Sequence, residues 1–97
     1  MASILKTAQA GTLESSDIMI SVTPGSTGSG IIIEIESIVM AQYGDDIRLA
    51  LEEILAEQGY TDIYVKALDR GALDCTIRAR ILTALVRAGA VLKEATL

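Results

Sequence analysis

The apolar residues of this chain switch their spacing from every second position to every third or fourth and back, and this alternation narrows the available folds more than any other feature. In DIMISVT, residues 17–23, Ile18, Ile20 and Val22 fall on one side and Met19 and Ser21 on the other, as in a strand with one buried face. PGSTGSG, residues 24–30, holds one proline and three glycines, which cannot sustain a ladder and read as a flexible hairpin connection. In IIIEIES, residues 31–37, Ile31, Ile33 and Ile35 oppose Ile32, Glu34 and Glu36, a second strand expected to run antiparallel to the first. From Asp45 to Gln58, Ile47, Ala50, Leu51, Ile54 and Leu55 recur at i, i+3, i+4, i+7 and i+8 and form one helical stripe. Asp45 is the expected N-cap, and Gly59 the left-handed residue past the end. Ser37 is the alternative cap, which would place Gly44 inside the helix at a cost of about 1 kcal/mol against alanine. TDIYVKALD, residues 61–69, alternates again, and from Ala72 to Ala88 the residues Leu73, Ile77, Ile81, Leu85 and Ala88 make a second helix, stopped near Gly89.

The order is therefore β-β-α-β-α. A strand, helix and strand in succession imply a right-handed crossover, and one-sided strands need their apolar face covered. The expectation is a small α+β single domain over residues 1–97. Its sheet has three strands in order 2-1-3, two helices cover one face, and residues 1–16 form a flexible N-terminal segment. Hydrophobic residues make up 51% of the chain and charged ones 22%, far from the balance of disordered chains. With no Trp or Phe, the core is aliphatic, and Ile18, Ile20, Val22, Ile33, Ile35, Ile47, Leu51, Ile54, Leu55, Ile63, Val65, Ile77, Ile81 and Leu85 are expected to supply most of it.

Several functions are disfavoured. A net charge of −5 repels phosphate backbones and anionic bilayers, so neither nucleic acid nor a membrane is the expected partner. With no histidine, a Ser-His-Asp triad cannot form, and the lone Cys75 fits neither a zinc site nor a Cys-His nucleophile. Cys75 is expected to be a small buried hydrophobe. Asp45, Asp46, Glu52 and Glu53 offer carboxylates, but acids at a helix start and on its solvated face are ordinary. Lys66, on the outer side of a strand, reads as solvated. The glycines of GSTGSG are not in G-x-G-x-x-G order and precede a strand instead of a helix. MASILKTAQAG carries one lysine and no apolar run long enough for an export signal, so a cytoplasmic location is expected.

Two features remain. Arg70, Arg78, Arg80 and Arg87 are four of the eight basic residues, gathered in one region of an acidic chain. They read either as a solvated helix face, with Asp74 and Arg78 a local pair, or as a docking patch for anionic groups. GTLESSD, residues 11–17, sets two hydroxyls before the first strand. Such a loop ordinarily satisfies backbone groups. Its serines have no internal activator, yet an exposed hydroxyl among small neighbours is accessible to another enzyme.

AGTLESSD before an apolar strand, then QYGDDIRLALEEIL, then DRGALDCTIRARI, resemble the acyl carrier proteins of citrate lyase, its gamma subunits, from about Ala10 to Ala88. The resemblance implies a non-catalytic carrier subunit. Ser15 would hold 2'-(5''-phosphoribosyl)-3'-dephospho-CoA, attached by a prosthetic-group transferase as a phosphodiester, and many members have glycine where this chain has Ser16. It also implies a swinging arm whose thiol carries acetyl and citryl between the alpha (transferase) and beta (lyase) subunits while citrate is cleaved to acetate and oxaloacetate. Arg78, Arg80 and Arg87 would then help dock those partners or the phosphates of the arm. Ordinary acyl carriers are helical bundles with Asp-Ser-Leu at a helix start, which this chain lacks. The carrier subunit of malonate decarboxylase, and an interaction module without a prosthetic group, are the alternatives.

Overall fold

The computed structural model describes residues 3–92, Ala41 by its backbone alone; residues 1–2 and 93–97 of the expected domain lie outside the described residues. Period-two stretches become strands because each has one face to bury. In β2 (Ile18–Pro24) Ile18, Ile20 and Val22 are fully buried while Met19, Ser21 and Thr23 are half-buried. β4 (Ile63–Asp69) buries Ile63, Val65, Ala67 and Asp69. β3 (Ile31–Ser37) buries only Ile33 fully, and Ile35 is half-buried.

The sheet differs from the expectation in strand number and in order. It has four strands, β1-β2-β4-β3, with β1 (Ala8–Gly11) antiparallel to β2, β2 antiparallel to β4, and β3 parallel to β4. Of the three expected strands, the third and not the first therefore lies between the other two, and the expected hairpin between the first two does not form. Their connection instead passes around the start of β4. Gly25 N–H donates to the Asp62 carbonyl (3.3 Å), Ile63 N–H to the Gly30 carbonyl (3.2 Å), and Gly30 N–H to Asp62 Oδ1 (2.8 Å). The physical reason lies in the crossover: α1 (Met40–Glu57), 18 residues and about 27 Å long, returns the chain from the end of β3 to a parallel neighbour on the same sheet. Val22, Val65 and Ile33 then form one inward row, and Ile20, Ala67 and Ile35 the next.

β1 lies within the segment expected to be flexible. It has no large apolar residue, but its backbone pairs Ala8 with Val22 and Ala10 with Ile20, and Ala10 is buried. Just before it, Ile4 enters the core and Leu5 N–H donates to the Ala88 carbonyl (2.8 Å). α2 (Asp74–Arg87) packs across β1 and β2, and α1 packs on β3 and on α2, so both helices cover one face. The open ladder groups of the two edge strands are partly answered by arginines: Arg48 Nη2 donates to the Ile33 carbonyl on β3 (3.1 Å), and Arg87 Nη1 to the Gln9 carbonyl on β1 (3.0 Å).

α1 begins at Met40, not at Asp45, with Val39 as N-cap and no side-chain cap. Gly44 thus sits in the helix interior, and its missing Cβ is occupied space: a methyl there would lie 2.6 Å from Met40 Cε. The helix forms regardless because Ile47, Ala50, Leu51, Ile54 and Leu55 are all at least 95% buried. Gly59, at φ +80°, ends it; Tyr60 N–H reaches the Leu55 carbonyl and Gly59 N–H the Ala56 carbonyl, the paired bonds that a left-handed residue permits. α2 starts at Asp74 instead of Ala72 and buries Ile77, Ile81, Ala84 and Leu85. Of the expected core only Ile35 is not fully buried; Ile4, Ala10, Ala50, Tyr60, Ala67, Ala84 and Ala88 join it.

Candidate functional site

The GTLESSD stretch is the connection between β1 and β2, and its geometry begins at Gly11. At φ +98° a Cβ on this residue would stand 1.8 Å from the Ile18 carbonyl oxygen, so the backbone closes on itself only with glycine. Asp17 N–H donates to the Glu14 carbonyl (3.2 Å), closing a four-residue turn with Ser15 and Ser16 at its corners. Ser16 has φ +64°, the sole positive value among described non-glycine residues. That sign at the third turn position favours glycine over a residue with a side chain.

Ser15 is exposed at the second turn position, and its hydroxyl has no hydrogen-bond partner among the described residues. Everything around it is tied down. Ser16 N–H donates to the Arg70 carbonyl (2.8 Å) and Arg70 N–H to the Asp17 carbonyl (2.9 Å), extending the β2·β4 ladder beyond the pair Ile18 and Asp69. The Asp17 carboxylate accepts from Thr12 Oγ1 (2.7 Å), from Ile18 N–H (2.7 Å), and from both Nε and Nη2 of Arg80 (3.0 and 2.8 Å). Its side chain is 13% exposed. The Arg80 guanidinium first, then Thr12 and the Ile18 amide, hold this carboxyl well below the usual carboxylate range.

A second carboxylate supports the neighbouring turn. Asp69 is buried at the end of the inward face of β4, where its Oδ2 accepts from Ser37 Oγ (2.7 Å) and Gly71 N–H (3.0 Å), and its Oδ1 from Ala72 N–H (3.0 Å). It fixes the connection from β4 to α2 against β3, and with it the backbone of Arg70. Sequence reasoning assigned no role to Asp17, Asp69 or Thr12. Asp69 carried a signal, a charged residue in phase with Ile63, Val65 and Ala67; Asp17 and Arg80 are 63 residues apart and carried none.

The arginines expected to dock partners all hold contacts within the chain. Arg78 donates to Asp74 Oδ2 (2.7 Å) and lies 3.3 Å from Glu53 Oε2, Arg80 is committed to Asp17, and Arg87 reaches β1. Cys75 is exposed in the first turn of α2, not buried as expected, because it falls off the stripe made by Ile77, Ile81, Ala84 and Leu85. Lys66 is exposed beside Ser21 and Glu34 in the sheet register. Asp45, Asp46, Glu52 and Glu53 are exposed on α1, and among the described residues no three acidic or thiol side chains gather as a metal site. Among those residues, too, no helix is long and apolar enough to cross a membrane.

Comparison with known proteins gives this geometry a context. A family model described as malonate decarboxylase delta subunit (MdcD) matches residues 5–88. The citrate lyase acyl carrier protein of Streptococcus uberis is 52% identical over 85 residues, covering 88% of this chain and 82% of that protein. That of Lactobacillus acidophilus is 51% identical over 85 residues, covering 88% and 86%. A chain of the solved Pseudomonas malonate decarboxylase hetero-tetramer in complex with malonate shares the fold, with a TM-score of 0.75 over 90% of this chain and 88% of that one at 19% identity. Identity near one half over nearly the whole chain, together with that shared fold, means that this chain belongs to the family of citrate lyase acyl carrier proteins.

Proposed function

We propose that this chain is the acyl carrier subunit of a citrate lyase and that Ser15 Oγ anchors 2'-(5''-phosphoribosyl)-3'-dephospho-CoA through a phosphodiester. The observation that carries the reading is the contrast at the turn: an exposed hydroxyl without an internal partner, set in a backbone held from both sides. A residue that is to be modified by another enzyme needs access and a defined position; it does not need a base of its own. The residues present fit such a group. Glu14 and Asp17 flank the anchor, and Arg80 already balances Asp17, so an added phosphodiester meets less local negative charge than the sequence suggests.

When attached, the group supplies a thiol that carries acetyl and citryl. The chain itself contributes the anchor and a rigid body, and we assign it no catalytic group. Tethering raises the local concentration of the acyl group at the active sites of an alpha (transferase) and a beta (lyase) subunit, which we propose as its partners together with the prosthetic-group transferase. Arg87 is the arginine we retain for docking, since its one described contact is a backbone carbonyl, whereas Arg78 is paired with Asp74 and Glu53 and Arg80 with Asp17. A carrier for malonate decarboxylase is the second reading, favoured by the description of the matching family model; identities near 50% to citrate lyase carriers weigh against it.

Coexpression with the modifying enzymes, followed by intact-mass measurement, tests the anchor. Wild type and Ser16→Ala should gain the mass of the group, and Ser15→Ala should fold and gain nothing. A modified Ser15→Ala, or an unmodified Ser16→Ala, refutes the assignment.

A further inference from the structure

The turn that offers Ser15 is joined to a helix far along the chain. One carboxylate, Asp17, accepts from the start of the loop through Thr12, from the start of β2 through the Ile18 amide, and from the middle of α2 through both arms of the Arg80 fork. Neither α2 nor β2 needs this link for its own placement. Ile77, Ile81 and Leu85 seat the helix, and Ile18, Ile20 and Val22 seat the strand, each at least 96% buried. What the link adds, beside the backbone bonds of Ser16 and Asp17 to Arg70, is a side-chain hold on residues 12–17, of which Thr12 to Ser16 are all exposed and lack core contacts.

We infer that Asp17 and Arg80 are positioning residues for the modification of Ser15: their two-pronged ion pair latches the anchor turn to α2 and so sets the orientation in which a transferase meets the hydroxyl. The inference rests on Ser15 being the anchor. An exposed single-contact ion pair contributes little, but here the fork is bidentate, the carboxylate is mostly covered, and two further donors hold it. With the latch released, the turn samples several conformations, and a transferase that binds only the presented one meets a smaller competent fraction. Its apparent affinity falls in proportion to that fraction, while the step that follows binding is untouched.

The kinetics separate this role from plain stabilisation. Purified transferase, the activated prosthetic-group precursor and varied concentrations of full-length unmodified carrier would be followed by intact mass. If the latch leaves about one tenth of turns competent when broken, Arg80→Gln raises KM for the carrier about tenfold with kcat unchanged. Asp17→Asn does the same, Arg80→Lys recovers part of the loss, and the double variant Asp17→Asn with Arg80→Gln is no worse than either alone because the pair acts as a unit. Amide order parameters at Ser15 and Ser16 fall from about 0.85 towards about 0.6 in Arg80→Gln while those of α2 hold.

Unchanged KM in folded Arg80→Gln and Asp17→Asn overturns the inference, as does a loss of order spread through α2. Should Arg80→Gln not fold, Thr12→Val, which removes one donor at the exposed end, is expected to give a smaller rise in KM, and an unchanged KM there counts equally against the latch. Ser15→Ala serves as the control. If it accepts the group, the anchor assignment has failed; if it does not and KM is insensitive to Arg80, only the latch has failed.

Discussion

Replacing Ser16 by glycine is expected to stabilise the protein, against the usual direction of point mutations. Ser16 holds φ at +64°, where the Cβ of an L-residue crowds its own carbonyl at a cost of roughly 1–2 kcal/mol. Glycine is free of that cost but loses about 0.5–1 kcal/mol more backbone entropy on folding. The Ser16 amide hydrogen bond to Arg70 is retained, and its hydroxyl has no partner among the described residues, so nothing else is lost. The difference lies between about 0 and 1.5 kcal/mol, a mid-range gain of about 0.75 kcal/mol, which in a domain of this size raises the melting temperature by roughly 3–6 °C. Urea unfolding at constant m-value measures the gain, and mass spectrometry of the coexpressed variant should find the prosthetic group still attached. A loss of stability in Ser16→Gly would mean that the turn is not left-handed at this position.

The remaining predictions concern the closure of the turn, its charge and the outer surface. Gly11→Ala forces a backbone shift away from the Ile18 carbonyl and is expected to cost at least about 2 kcal/mol, against the few tenths typical of an exposed loop; chemical denaturation reads the difference. The carboxyl of Asp17 is held below its ordinary range, so its contribution to stability is complete above about pH 5 and is lost as the pH falls further towards its folded value. Asp17→Asn should therefore remove a constant increment above about pH 5 and converge on the wild type in acid; parallel pH–stability curves throughout would contradict this. Arg87→Glu should slow association with the alpha and beta subunits more at low salt than at high salt in surface plasmon resonance, and an association rate unaffected at any ionic strength would leave Arg87 to the β1 edge alone.

The legible parts of this fold are those whose side chains face the core. Ile18, Ile20 and Val22, the Ile63 to Ala67 alternation and the stripes of both helices announce themselves because burial imposes their period. β1 does not: Ala8, Gln9, Ala10 and Gly11 carry almost no hydrophobic contrast, and they form a strand because β2 offers an unpaired edge under α2. Strand order was also hidden. Periodicity says which face a strand buries and nothing about its neighbours, and the glycine-rich 24–30 loop resembled a local hairpin while in fact detouring around β4. The start of α1 was misread because Gly44 looked like an interruption, when its missing side chain is filled by Met40. At the candidate site the anchor motif could be read by resemblance, but the Asp17 to Arg80 pair joins residues 63 positions apart and could only be found in three dimensions.

Ser15 as the anchor of a covalent arm is tested most directly by tandem mass spectrometry of the carrier isolated from its native-like complex with the modifying enzymes present. Digestion should yield one modified peptide spanning residues 12–17, and fragmentation that keeps the phosphodiester intact should place the whole added mass on Ser15, with Ser16 and Thr12 unmodified. An unmodified peptide from a complex that cleaves citrate, or the mass on Ser16, would contradict the assignment.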